Sequence, residues 1–292
     1  MQGRIMKGIA GFYYVEVPDY GLYECKAKGS FRNQKLKPLP GDLVDIEVLD
    51  PEKMTGNVVQ IYPRKNELIR PAVANVDQVL IEFAAAEPNP NLNLLDRFLI
   101  LMNRQQVKTI VCFNKVDLVE EEMRNRLAEV YAKSGNQVCF TSTYSGEGIA
   151  EIKQLIAGKT TVLAGPSGVG KSSLLNCLLP EANAKTGEIS EKIKRGKHTT
   201  RHSELMPAGT DTYFIDTPGF STLYLSGITK EELEDYFPEF HLYEGQCRFL
   251  GCSHTHEPEC RVKQAVAEEE INRIRYEHYV EFYEEIKNTR SW

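Results

Sequence analysis

The chain has 292 residues, 41% hydrophobic and 26% charged, with a formal net charge of −6. That is room for two or three soluble domains with real cores, and any nucleic-acid contact must use a local basic patch, because the overall field is repulsive. Val79–Ala86 is interrupted by Glu82, and Leu94–Met102 by Asp96 and Arg97, so neither reads as a membrane span; the opening MQGRIMKGIAGF lacks the apolar core of a signal peptide. Of seven cysteines, three cluster at 247–260, while Cys25, Cys112, Cys139 and Cys177 are scattered. This usage points to a metal site and buried thiols in a reducing cytoplasm, not to a disulfide framework.

Residues 1–70 read as short strands, Ile5–Val17, Leu22–Ala27, Asp42–Leu49 and Asn57–Tyr62, punctuated by Gly, Pro and Asp. Such a piece closes most simply as a small barrel of the OB type. Lys26, Lys28, Arg32, Lys35 and Lys37 surround Phe31, and Arg64, Lys65 and Arg70 mark the domain exit. Cations beside an exposed aromatic suit a nucleic-acid backbone with one stacked base; a solvated loop is the competing reading.

From Val76 strands and helices alternate: strand Val79–Ala86, helix Leu92–Gln105, strand Thr109–Phe113, helix Glu120–Lys133, strand Gln137–Thr141, helix Ile149–Ile156. This is the pattern of an α/β parallel sheet covered on both faces, with ligands at the carboxyl ends of its strands. Asn114-Lys115-Val116-Asp117 follows the second strand directly. There the Asp117 carboxylate is expected to accept from N1–H and the N2 amine of guanine. Adenine offers neither donor, which opposes an ATP-dependent kinase or motor. Asn114 is expected to tie this loop to the phosphate loop, and the Lys115 stem to cover the ring. Thr141 and Ser142, after the next strand, are expected to bring backbone N–H groups to guanine O6.

The phosphate loop is TTVLAGPSGVGKSS at 160–173. A short apolar strand enters it and an apolar helix leaves it, the context that makes G-x-x-x-x-G-K-[ST] a phosphate cradle. Backbone N–H groups of Gly165, Pro166-Ser167-Gly168-Val169 and Gly170 close round the phosphates (Pro166 adding only shape), and the helix N-terminus adds its dipole. Lys171 supplies charge, Ser172 is the expected magnesium ligand, and Ser173 completes the expected GTP-binding set. Ala182–His202 is a polar, basic loop whose Thr200, slightly preferred over Thr199, is expected to reach Mg²⁺ and the γ-phosphate when GTP is bound. A hairpin of Ser203–Met206 and Thr212–Ile215 is expected across Pro207–Asp211, ending in Asp216-Thr217-Pro218-Gly219. Asp216 would anchor Mg²⁺ through water and Gly219 would turn its N–H to the γ-phosphate.

All four GTPase motifs are therefore present, but the guanine loop precedes the phosphate loop. That order is a circular permutation of an ordinary GTPase. With the barrel before it and the cysteine cluster after it, the chain resembles, over essentially its whole length, the ribosome small subunit-dependent GTPase A family (RsgA, also called YjeQ or YloQ). G-P-S-G-V-G-K-S-S-L, R-G-K-H-T-T-R and D-T-P-G-F carry the likeness. The resemblance implies an OB-fold over 1–70, a circularly permuted G domain over 71–229 and a zinc-binding helical domain over 230–292. It also implies GTP hydrolysis stimulated by the 30S ribosomal subunit during late maturation, with 16S rRNA as the contact. The chain is expected to be a cytoplasmic monomer with no membrane partner.

Phe220 stands where many GTPases carry a water-orienting Gln, and Gly168 stands where a potassium-dependent GTPase would carry Asn. His198, beside the loop threonines, is the best internal substitute for orienting water. Because Phe220 cannot do so, a second reading stays open: a GTP-gated RNA-binding checkpoint whose turnover is incidental. At the C-terminal end, Cys247, Cys252 and Cys260 with one imidazole make the donor set of a closed structural zinc site. His254 matches the family's motif, with His241 and His256 nearby. A helix over Ala265–Ile286 is expected, with Ile271, Ile274, Tyr279, Phe282 and Ile286 near one face. Arg248, Arg261 and Lys263 flank the cluster as possible rRNA contacts or as solvated surface.

Overall fold

The computed structural model describes residues 1–29, 31, 36–69, 71–179, 204–216 and 223–289. They belong to two compact units, one built from 1–80, 149–165 and 171–219, the other from 81–148, 166–170 and 220–292.

The first unit opens with a closed five-stranded barrel. Its strands are β1 (Gln2–Ile9), β2 (Phe12–Val17), β3 (Gly21–Ala27), β4 (Leu43–Asp50) and β5 (Thr55–Ile61), in the order β1-β2-β3-β5-β4. This is the expected OB-type closure, sealed by the parallel pair of β3 and β5. Ile5–Val17 is not one strand. Ala10 and Gly11 take positive φ values of 50° and 88°, and Ile9 pairs with Phe12 across them. The Gly is the turn signal, hidden because apolar residues flank it on both sides. Ile5, Val15, Tyr23, Cys25, Val44, Ile46 and Val58 fill the barrel.

Phe31 joins that core at 6% exposure, so it offers no free face to a stacked base. Arg64 is also committed: its Nε donates to buried Asp42 at 2.7 Å, its Nη2 to the Lys37 carbonyl at 2.6 Å, and it pairs with Glu67. Lys65 pairs with Asp77 at 2.9 Å. Arg64 and Lys65 are therefore committed to contacts within the fold.

Two short strands follow, β6 (Glu67–Leu68) and β7 (Val73–Ala74). Then comes β8 (Gln78–Ala84), whose seven residues are all buried. The first unit also holds helix α3 (Ile149–Ile156), strand β11 (Thr160–Ala164), helix α4 (Lys171–Leu178), and the hairpin of β12 (Leu205–Gly209) and β13 (Thr212–Asp216). Strand order runs β11-β13-β12, with β11 parallel to β13. The hairpin turns later and more tightly than expected, since β12 continues through Pro207 to Gly209 and Asp211 takes φ 48°.

In the second unit, β9 (Lys108–Asn114) and β10 (Gln137–Phe140) pair in parallel, Cys112 opposite Cys139. Helix α1 (Leu92–Arg104) starts on Asn91, whose side chain accepts from the Leu94 amide at 3.0 Å, and buries Leu94, Leu95, Phe98, Leu99, Ile100 and Met102. Helix α2 (Glu121–Tyr131) lies between β9 and β10 in the chain.

The C-terminal helix of the sequence reading is two helices. Helix α5 (Arg261–Ala267) stops where Glu269 takes φ 59°, and α6 (Arg273–Asn288) starts on Asn272, which caps Ile274 at 3.0 Å. Ile271 is 1% exposed in the connection. The helical spacing of the apolar residues runs through the break and conceals it. Phe237, Phe240, Tyr279 and Phe282 form the core of this region, with ring centroids of Phe237, Phe240 and Tyr279 4.8–5.4 Å apart.

Candidate nucleotide site and metal centre

Strand β11 delivers the chain to Gly165 at φ 148°, and Gly168 and Gly170 follow at 82° and 119° before α4 begins at Lys171. These φ values belong to glycine, and Gly170 has a second reason. A Cβ there would stand 2.2 Å from Asn114 Nδ2. Val169 is buried, while Ser167, Gly168, Ser172 and Ser173 are exposed. Lys171 Nζ donates to the Gly165 carbonyl at 2.9 Å, so its ammonium lies over the loop it opens. Asp216 ends β13 opposite Leu163 of β11, at the carboxyl end of that strand. His198, Thr199, Thr200, Gly219 and Phe220 lie outside the described residues, as do Arg32, Lys35 and Arg70.

The base loop is held by a dense polar lattice. Asn114 is fully buried. Its Nδ2 donates to the Val169 carbonyl at 3.1 Å and to Glu82 Oε1 at 2.8 Å. Its Oδ1 accepts from Thr141 Oγ1 and from the Thr143 amide, each at 3.3 Å. Lys115, at φ 61°, lays its stem over the loop and donates to the carbonyls of Gly168, at 2.9 Å, and Glu87. The Ser142 hydroxyl donates to Asp117 Oδ1, fixing the carboxylate that is the candidate guanine reader. Val116 packs beneath, fully buried.

One expectation changes. The amides of Thr141 and Ser142 are bonded to the carbonyls of Phe113, at 2.9 Å, and Glu147, at 3.0 Å. Both residues instead act through their side chains, Thr141 on Asn114 and Ser142 on Asp117. Glu82 was legible in the sequence only as a charge interrupting an apolar run.

The second cluster is Cys247, Cys252, His254 and Cys260, whose ligand atoms all lie within 4.8 Å of one another. His254 Nδ1 is 3.3 Å from Cys260 Sγ and 3.6 Å from Cys247 Sγ, and the two sulfurs are 3.8 Å apart. Four donors about 2.3 Å from a common centre in a tetrahedron stand close to these separations, so the donor set fits one metal ion. His254 adopts φ 58°, and its Nε2 meets Glu234 Oε2 at 3.1 Å, the outer carboxylate that orients a ligating imidazole. Tyr276 and Tyr279 donate to the carbonyls of His254 and Ser253 at 2.8 and 2.9 Å, bracing the knuckle from α6. Burial pushes the Cys252 thiol up to about 12, and metal ligation would release that proton.

Sequence reasoning missed a third cluster. Arg275 of α6, 1% exposed, donates through Nε to Glu239 at 2.8 Å and through Nη1 to Asp96 of α1. His278 Nδ1 shares Asp96. Burial opposes the Arg275 charge, but the two carboxylates outweigh it and raise the guanidinium above its ordinary value. The Asp96 carboxylate is fully buried, and it holds the C-terminal helix to α1.

Comparison with known proteins agrees with this geometry. The RsgA GTPase family model matches residues 61–226 and the RsgA N-terminal domain model residues 2–55. The small ribosomal subunit biogenesis GTPase RsgA of Agathobacter rectalis is 55% identical, covering 100% of both chains. The crystal structure of YloQ, a circularly permuted GTPase, aligns with TM-score 0.79 and 36% identity over 100% of this chain and 96% of that one. YjeQ from Thermotoga maritima aligns with TM-score 0.81 and 36% identity over 99% of each. The guanine loop before the phosphate loop, the barrel ahead of both and the matches along the chain have one reading: it is a circularly permuted GTP hydrolase and belongs to the RsgA GTPase family.

Proposed function

We propose that this GTP hydrolase binds the small (30S) ribosomal subunit, acts in its late maturation, and turns over faster when bound to it. The relative in Agathobacter rectalis, 55% identical end to end, bears the name of a small ribosomal subunit biogenesis GTPase, and supports that partner. The observation that carries the chemistry is Asn114. Its amide joins the loop that holds Asp117 to the loop that precedes Lys171. Asp117 reads the base, the N–H groups from Gly165 to Ser173 surround the phosphates, and Lys171 neutralises them. Ser172 and Thr200 are the magnesium ligands, with Asp216 behind them; the ion would balance charge on the β- and γ-phosphates. Gly219 senses the γ-phosphate, and His198 orients the attacking water.

The Cys247, Cys252, His254 and Cys260 set takes structural zinc, since all four donors are supplied by the protein and three are thiolates. 16S rRNA is read by the barrel, where Lys26, Lys28 and Lys37 line a cleft of about 510 Å³ with Tyr13. With Phe31 buried, that contact is to the RNA backbone more than to a stacked base. Among the described residues no helix is long and apolar enough to cross a membrane; the proposed setting is the cytoplasm, where the small subunit is assembled, with the chain acting as a monomer.

The test is GTP turnover by wild type and His198→Ala, with and without purified 30S subunits. Stimulation of the wild type by more than about tenfold, lost in His198→Ala, is expected. Subunit binding that depends on GTP but leaves turnover unchanged would replace this reading with the checkpoint module that Phe220 keeps open.

A further inference from the structure

Glu82 takes no part in the assignments above, yet it sits at their centre. It is fully buried on β8, among Val79, Leu80, Ile81, Phe83 and Ala84. A carboxylate placed there gives up its hydration and depends on protein donors in its place. Its Oε1 accepts from Asn114 Nδ2 at 2.8 Å, and the same nitrogen gives its other proton to the Val169 carbonyl at 3.1 Å. An asparagine amide has two ends of nearly equal shape and opposite polarity. An ionised carboxylate only accepts, so it admits the Nδ2 end and rejects Oδ1. With Nδ2 set this way, Oδ1 faces Thr141 Oγ1 and the Thr143 amide, each at 3.3 Å. The last glycine of the phosphate loop packs on the same pair. A Cβ on Gly170 would lie 2.2 Å from Asn114 Nδ2 and 3.0 Å from Glu82 Oε1. Carboxylate, amide and phosphate-loop backbone are thus one contact.

We propose that Glu82 is a positioning residue for guanine-nucleotide binding. Its carboxylate locks the orientation of the Asn114 amide, and through that amide it keeps the base loop in register with the phosphate loop. The inference rests on the guanine-nucleotide reading of Asp117. Glu82 itself need not touch the nucleotide; it acts through Asn114.

The test is GDP affinity by calorimetry for wild type, Glu82→Gln, Glu82→Met, Glu82→Ala, Asn114→Ala and the double variant Glu82→Met with Asn114→Ala. Glutamine keeps an oxygen acceptor at the same place but adds an amide donor that can meet either end of Asn114, while methionine and alanine offer no such acceptor. Loss of one hydrogen bond to a charged group predicts GDP binding about tenfold weaker in Glu82→Met and Glu82→Ala. Glu82→Gln, which can still accept from Asn114 but no longer excludes the flipped amide, should bind GDP less tightly than wild type and more tightly than the two truncations. Because both residues work through one amide, the double variant should bind no more weakly than Asn114→Ala alone. Wild-type affinity in Glu82→Met or Glu82→Ala, a Glu82→Gln loss as large as theirs, or losses that multiply in the double variant would overturn the inference. Either truncation suffices if the other does not fold. Wild-type preference for GDP over ADP is read in the same experiment. Its absence defeats the base-loop reading, whereas its presence beside an unaffected Glu82→Met defeats this inference alone.

Discussion

The base loop and the C-terminal helical region belong to one compact unit and bury polar groups by different means. Around Asn114 the polar groups are mostly amides, hydroxyls and backbone carbonyls, each matched at 2.8–3.3 Å. Around Arg275 they are full charges, a guanidinium between Asp96 and Glu239, next to a knuckle of three cysteines and a histidine. The first arrangement depends on a tetrapeptide at a strand end. The second depends on residues 179 positions apart in the chain. Around Asn114 one buried carboxylate, Glu82, is matched by an amide, and the remaining donors and acceptors that align the loops are neutral. Buried charges and metal ligands hold a region with few regular elements, and they fail abruptly when one member is lost.

The largest break in this contrast should come from the metal. Binding free energy at a structural zinc site reaches about 10–16 kcal/mol in small domains. Cys252→Ser, or chelation of the wild type, should therefore unfold much of 244–272 and abolish its melting transition, while GDP binding by the base and phosphate loops persists. Metal analysis should find one zinc per wild-type chain. A Cys252→Ser protein that melts like the wild type would show that the aromatic core alone holds the region.

Arg275→Met comes next. It strands two buried carboxylates and should cost about 3–5 kcal/mol in denaturant unfolding. Replacing all three charged members together, with Asp96→Leu and Glu239→Leu, should recover most of that loss, because apolar packing substitutes for a buried ion cluster nearly evenly. If the triple variant is as unstable as Arg275→Met, the cluster contributes more than its own satisfaction.

The smallest effect belongs to Glu257. Burial pushes its carboxyl up, but the Ser253 hydroxyl at 2.7 Å and the amides of Ser253 and Thr255 outweigh that and hold it at about 2. A depressed carboxyl contributes stability above its unfolded pKa, and that contribution disappears as pH falls from about 4.5 toward about 2. Glu257 is largely solvent-screened, so Glu257→Gln should cost under about 1 kcal/mol at pH 7. The difference between the two proteins should vanish below about pH 2, the acid loss common to both cancelling in the comparison. A difference that persists at that pH would mean that Gln fails in the turn for reasons other than charge.

What was legible in the sequence follows the same contrast. Asn114, Asp117, Gly165 to Ser173 and the cysteine spacing are short-range patterns whose chemistry depends on neighbours in the chain, and they stand in the expected strand–loop–helix settings. The turn at Ala10-Gly11 and the break at Glu268–Asn272 were hidden because apolar periodicity runs through both, although Gly11 and Asn272 are the local signals for them. The burial of Phe31 and the ion pairing of Arg64 were not legible for another reason. Burial and ion pairing depend on which surface folds over a residue, and composition does not carry that.

By itself the sequence marked where the nucleotide chemistry is expected: a carboxylate after one strand, an ammonium at the start of a helix, glycines where the backbone would approach phosphate, and four candidate metal donors in fourteen residues. Tertiary structure alone decided that Glu82 orients Asn114, that Arg275 joins α6 to α1, and that the Phe31 ring belongs to the barrel core. The physical reason is range. Motif chemistry is set by covalent spacing of a few residues, whereas a buried charge finds its partner only after strands and helices far apart in the chain have packed.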